Sequence, residues 1–192
     1  MRIFSPLYER VLQWAGHRHA PWYLGVLSFT ESSFFPIPPD VMLAPMALAR
    51  PDRAWRLAFI TTVTSVLGGL FGYAIGYFAL EAVEGLLHQW GYWEAYLRVR
   101  EWFDTWGFWA VFLAGFSPIP YKLFTVGAGA LVMNLPLFAL ASLISRGARF
   151  YLVAGLIHFG GERMERVLRQ YIDTIGWLVV VLCVIVLLVW KL

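Results

Sequence analysis

The chain is patterned as long apolar runs separated by short polar stretches. Residues 175–190 form an uncharged Val/Leu/Ile-rich run ended by Lys191, with Trp177 and Trp190 near its two ends. Residues 57–80 carry no charge, and residues 135–159 are comparably apolar but contain Arg146 and Arg149. Apolar lengths near 20 residues read as membrane-spanning helices, with aromatic residues marking the interfaces. Two further apolar stretches, 22–49 and 108–135, are too long for one crossing and short for two. Each is broken near its middle by prolines, in "FPIPPD" and in "SPIPYK". Proline ends helices and turns the preceding residue toward extended backbone. Non-helical backbone at membrane depth survives only inside protein or beside water. Each stretch therefore predicts a re-entrant hairpin that enters and leaves on the same side.

The hairpins resemble each other. Phe35 to Asp40 aligns with Ser117 to Lys122, and each motif is followed by a short apolar helix and then a longer span. The pattern is an internal repeat of hairpin plus span. One crossing separates the two units, so the hairpins enter from opposite faces, as in the inverted repeats of many transporters. Two amphipathic pieces complete the picture. Ile3, Phe4, Leu7, Tyr8, Val11 and Leu12 recur at helical spacing, which fits an interfacial helix or one packed on its own protein. Residues 81–107 are rich in Trp, Tyr and acids and read as a second amphipathic helix, on the opposite surface.

The expected fold is thus an all-α integral membrane protein of one domain, 1–192. It comprises an amphipathic helix in 1–19, a first repeat over 22–80, a connector over 81–107, a second repeat over 108–160 and a C-terminal transmembrane helix over 175–190. Helices should begin at Pro39–Val41 and near Tyr121–Leu123. Gly68, Gly72 and Gly76, four apart with Gly69 beside them, predict close helix packing against a hairpin, and Gly127 and Gly129 should serve likewise.

Composition agrees. The chain is 60% hydrophobic and 14% charged, with mean hydropathy +0.65, against about 25% charged in a soluble domain. A net charge of +3 without any basic run argues against nucleic acid. Nine arginines lie on the side of the N-terminus and of the loops 50–56 and 161–174, against Arg98, Arg100 and Lys191 on the other. That bias predicts a cytoplasmic N-terminus. The single cysteine, Cys183, excludes an intramolecular disulfide and reads as an inert buried thiol. The N-terminus lacks the apolar core of a signal peptide, being interrupted by Glu9 and Arg10. Phosphate loops, HExxH, CxxC and GxSxG motifs are absent, and the four histidines are scattered, so neither an enzyme nor a bound cofactor or metal is expected.

Five ionisable residues fall inside the apolar segments: Glu31, Asp40, Lys122, Arg146 and Arg149. Left alone at the bilayer centre they would cost roughly 12–18 kcal/mol together, comparable with a domain's whole stability of about 5–15 kcal/mol. They must pair or face water. Asp40 and Lys122 hold matched positions in the two hairpins, so an Asp40–Lys122 contact near the midplane is expected. Glu31 aligns with Leu113 and has no matched cation, which makes it the better candidate for a carboxylate that changes protonation. Arg146 and Arg149 share a helix face. They can fork onto a phosphate or carboxylate, or instead pair with Glu31 and Asp40 or cap hairpin backbone. The helix N-termini at the hairpin tips favour an anion.

The element E…F-P-x-P-x-[DE] in "ESSFFPIPPD", a glycine-rich span, the hairpin "SPIPYKLFTVGAGAL" and the arginines after it resemble the DedA family, the bacterial branch of the SNARE-associated or VTT-domain proteins. The second motif is most similar to the YqaA-like subgroup. The resemblance covers roughly residues 22–160. It implies membrane transport through two opposed re-entrant hairpins, recycling of undecaprenyl phosphate across the bacterial inner membrane in some members, phospholipid scrambling in eukaryotic relatives, and dependence on the proton motive force. The family's acidic pair corresponds to Glu31 and Asp40. Where the family carries an R-x-x-P-x-x-R-type pattern, this chain has Gly115 and then Tyr121 or Lys122, so Lys122 alone supplies a cation there.

The function expected is a proton-coupled transporter or flippase for an anionic lipid such as a polyprenyl or other lipid phosphate. Its partners would be that head group and protons, and self-association is left open. An uncoupled scramblase and a proton or small-ion transporter are the alternatives. A phosphatase is disfavoured, since no histidine or serine has a base placed beside it.

Overall fold

The computed structural model describes residues 17, 19–35, 37–116 and 120–160. The helix expected over 175–190, Cys183 and nearly all of the amphipathic segment 1–19 lie outside the described residues. The described residues form helices α1 (Ala20–Ser33), α2 (Asp40–Ala49), α3 (Ala54–Gln89), α4 (Trp93–Phe116), α5 (Tyr121–Ala130) and α6 (Leu135–Gly160), with a 3-10 turn over Pro51–Arg53. No strand occurs among them.

Pro39 and Pro120 act where their chemistry says they must, whereas Pro45 is carried inside a helix. Helix α1 ends at Ser33, and α2 begins at Asp40 with Pro39 at its N-cap. Helix α5 begins at Tyr121 with Pro120 at its N-cap. Both starts match the sequence expectation. Residues 81–107 are divided between the end of α3 and the first part of α4, joined by a tight reversal at Gly91, whose φ of +73° favours glycine. Asn134 caps α6, its Oδ1 accepting from the Leu137 N–H at 3.1 Å.

Both helix–break–helix units fold back on themselves. Ala20 and Leu24 at the start of α1 share a core cluster with Met46 and Ala47 at the end of α2. In the second unit, the Tyr96 hydroxyl near the start of α4 donates to the Ala130 carbonyl at the end of α5, 3.1 Å away. The clusters lie at opposite ends of the antiparallel α3–α6 pair. The first includes Ala54, Ala58, Ala154 and Ile157, and the second includes Phe138 and Ala141, with Tyr73 packed against it. Each hairpin's second helix also crosses to the other repeat's span. Helix α2 packs with Phe150 of α6, and α5 packs on α3.

The glycines of α3 permit these crossings. A methyl at Gly68 would strike the Phe29 carbonyl of α1, one at Gly76 the Val126 carbonyl of α5, and one at Gly72 would stand 2.5 Å from Thr125 Oγ1 and 3.2 Å from the Ser32 carbonyl. The stripe thus runs from one hairpin to the other, and Gly129 meets the Tyr73 carbonyl in the same way. Gly127 does not serve this purpose, since nothing lies within 4 Å of a methyl added there. Its face of α5 is open.

The helical stretches Pro51–Ala82 and Leu135–Gly160 each contain an 18-residue window apolar enough to span a membrane, with mean hydropathies of 1.6 and 1.4. Their outward surfaces carry Leu67, Phe71, Phe78, Leu140, Ile144, Leu152 and Leu156, all exposed. Apolar area of this extent suits hydrocarbon, not water.

Candidate functional site

The site lies where the two hairpin tips meet between α3 and α6. Helix α1 runs parallel to α3 and is tied to it by hydroxyls rather than by apolar contact alone. Ser28 donates to the Thr61 carbonyl at 2.8 Å, Ser32 Oγ and Ser65 Oγ are 2.7 Å apart, and Ser33 donates to the Gly68 carbonyl at 2.9 Å. Thr125 of α5 donates to the Ser32 carbonyl at 3.1 Å, joining the second tip to the first. Satisfied hydroxyls hold backbones close while leaving no orphan polar group in a dry interior.

Into this polar seam project the charges. Arg146 is 2% exposed, and its Nη2 lies 2.5 Å from Glu31 Oε2, itself 12% exposed. Its Nε donates to Ser65 Oγ at 2.7 Å, and its guanidinium lies 4.9 Å from the Tyr121 ring centroid and 4.7 Å from that of Phe150. Charge, fork and two aromatic faces fix it from several sides. The Tyr121 hydroxyl in turn donates to Ser142 Oγ at 2.5 Å. A methyl at Gly115 would collide with Ser145 Oγ, so α4 passes close to α6 at this level.

One turn along α6, Arg149 Nη2 lies 2.6 Å from Asp40 Oδ2, with the two side chains 21% and 24% exposed. Asp40 Oδ1 is buried and makes no hydrogen bond among the described residues. Asp40 is also the first residue of α2, where the helix dipole favours its charge.

The expected Asp40–Lys122 contact is not formed. Asp40 pairs with Arg149, while Lys122 Nζ donates to the Phe34 carbonyl of the first hairpin's tip at 3.4 Å. Helix α2 packs with α6, so Asp40 at its start finds Arg149 there. Nor does Glu31 lack a cation, since α6 supplies Arg146. The pairing of the two arginines with the two acids was one of the two roles open for them from the sequence. All five charged residues nevertheless converge on one region.

Sequence reasoning placed Ser142 and Ser145 on or near the arginine face but missed Tyr121, Thr125 and the hydroxyls of α1 and α3 as parts of the site. Their signal was present as Thr61, Thr62 and Ser65, polar at one-turn spacing inside an uncharged span. The four paired charges sum to zero, and Lys122, tied by its ammonium to a carbonyl, leaves the region formally cationic. Such a place can exchange an internal carboxylate for an external anion at Arg149.

The profile of the VTT domain matches residues 35–159. The chain is 48% identical over 191 residues to an uncharacterized protein of Haemophilus influenzae, and 47% identical over 191 residues to an uncharacterized protein homologue of Histophilus somni, with all of both chains covered in each case. No solved structure matches it. With its apolar spanning helices and this match over most of its length, the chain belongs to the VTT-domain, or DedA, family of membrane proteins.

Proposed function

We propose that this protein is a transporter that moves an anionic lipid head group, such as a polyprenyl or other lipid phosphate, across a bacterial inner membrane. The proposal takes the hairpins as re-entrant from opposite faces, the N-terminus as cytoplasmic, and the movement as coupled to protons. The observation that carries it is the pair of arginine–carboxylate bridges at the hairpin tips, one sealed and one open. Glu31–Arg146 is enclosed by aromatic rings and hydroxyls and acts as the anchor. Asp40–Arg149 is about a fifth exposed, with one carboxylate oxygen that makes no hydrogen bond among the described residues, and acts as the exchange point. A phosphate approaching Arg149 competes with Asp40 for the guanidinium fork. Protonation of Asp40 removes its hold on that fork, so proton arrival and anion binding favour each other. The tail stays in the bilayer beside the exposed apolar faces.

Reconstitution tests this. Liposomes containing the protein are supplied with undecaprenyl phosphate or fluorescent phospholipids, with and without a pH gradient. Gradient-dependent movement of a lipid phosphate supports the proposal. Gradient-independent mixing of many lipids identifies a scramblase instead. Proton flux without lipid movement identifies an ion transporter.

A further inference from the structure

On the outer side of the α1–α3 pair lies a groove of about 450 Å³ lined by Trp22, Gly25, Val26, Phe29, Ile60 and Arg56, with Pro21 and Thr64 completing it. The Thr64 hydroxyl is already committed, donating to the Ile60 carbonyl at 2.8 Å. Its methyl group stands nearest to Gly25, where an added Cβ would come within 3.3 Å and begin to fill the floor. The groove therefore offers hydrocarbon along its length and one cation. Arg56 is exposed and, among the described residues, makes no hydrogen bond or ion pair, whereas its neighbour Arg53 lies 3.7 Å from Asp52. Arg56 is nine positions before Ser65 on α3, about 13 Å along the helix axis, so this feature is separate from the Arg146–Arg149 site.

We propose that this groove holds one anionic glycerophospholipid of the surrounding bilayer, its phosphate on Arg56 and one acyl chain between Trp22, Val26, Phe29 and Ile60. The charge distribution selects that occupant. A single cation above an apolar slot complements an amphiphile with an anionic head and an apolar tail. A zwitterionic lipid would bring its own cation beside Arg56. Trp22 and Trp55, both exposed near the same end, suit the interfacial depth at which a phosphate sits.

The test is a lipid titration of the purified full chain in detergent by native mass spectrometry, with phosphatidylglycerol and phosphatidylcholine of equal chain length. The first phosphatidylglycerol should bind about tenfold tighter than phosphatidylcholine, the magnitude of one charge-assisted contact. Arg56→Gln should bring the two lipids to near parity. Val26→Trp, at an exposed position that leaves the core untouched, should weaken both by obstructing the slot. The proposal fails if Arg56→Gln keeps the preference, if Val26→Trp leaves binding unchanged, or if the wild-type chain takes up neither lipid because the groove is already filled.

Discussion

Arg146 Nη2 stands 2.5 Å from Glu31 Oε2, joining the first hairpin to the second span across 115 positions of chain. Removing one member of a buried pair strands the other, at about 3–5 kcal/mol. Glu31→Gln and Arg146→Met should each destabilise the protein by that order, and the double variant by clearly less than the sum, with a coupling of at least about 1 kcal/mol. Unfolding in detergent measures this cycle, and strictly additive losses would show that the two charges do not rely on each other.

Asp40→Asn should behave differently. Its pair with Arg149 is less enclosed than Glu31–Arg146, so its loss should cost less than that of Glu31. The variant should be destabilised less than Glu31→Gln, remain folded, and transport without responding to a proton gradient. Pronounced unfolding, or an unchanged gradient response, would remove Asp40 from the coupling role.

The glycines of α3 make a graded prediction. Gly76→Ala drives a methyl into the Val126 carbonyl and Gly68→Ala into that of Phe29, both backbone atoms that cannot swing aside. Each should cost about 1–3 kcal/mol or more. Gly85→Ala, with open space around it, should be neutral or stabilise by about 0.5–1 kcal/mol. Equal melting shifts for all three would contradict the packing described.

The hairpin tips should cross-link. Lys122 Nζ reaches the Phe34 carbonyl at 3.4 Å, so cysteines at 34 and 122, in a Cys183→Ser background, should react with a short reversible cross-linker. If tip separation is part of transport, the linked protein should stop and resume on reduction. Failure to link would mean that the tips do not meet.

Much of this arrangement is legible in the residues. Prolines at 36, 38, 39, 118 and 120 forecast the breaks and the helix starts at Asp40 and Tyr121, because proline restrains its own backbone locally. The Gly68–Gly72–Gly76 stripe forecast close packing, since absent side chains leave room for backbone. Which carboxylate meets which arginine was not legible. That depends on how α2 and α5 cross the opposite spans, a tertiary property that a local motif alignment does not contain. The aligned partners Asp40 and Lys122 therefore misled, whereas the spacing of Arg146 and Arg149, three apart, did put both on one helix face, and that face meets the hairpin tips. The hydroxyls of Thr61, Thr62 and Ser65 were passed over because a serine or threonine in an apolar helix can satisfy itself on its own backbone, as Thr61 does with Leu57 at 2.8 Å.

The central claim is that Arg149 receives the anion that displaces Asp40, and Arg149→Lys addresses it most directly. Lysine keeps the charge and the pairing with Asp40 but loses the planar fork that a phosphate engages. Reconstituted Arg149→Lys, confirmed folded by an unchanged melting temperature, should move lipid phosphate at least about tenfold more slowly than wild type, the loss of roughly one charge-assisted contact. Transport at the wild-type rate would contradict the account and leave Arg149 a purely structural partner of Asp40.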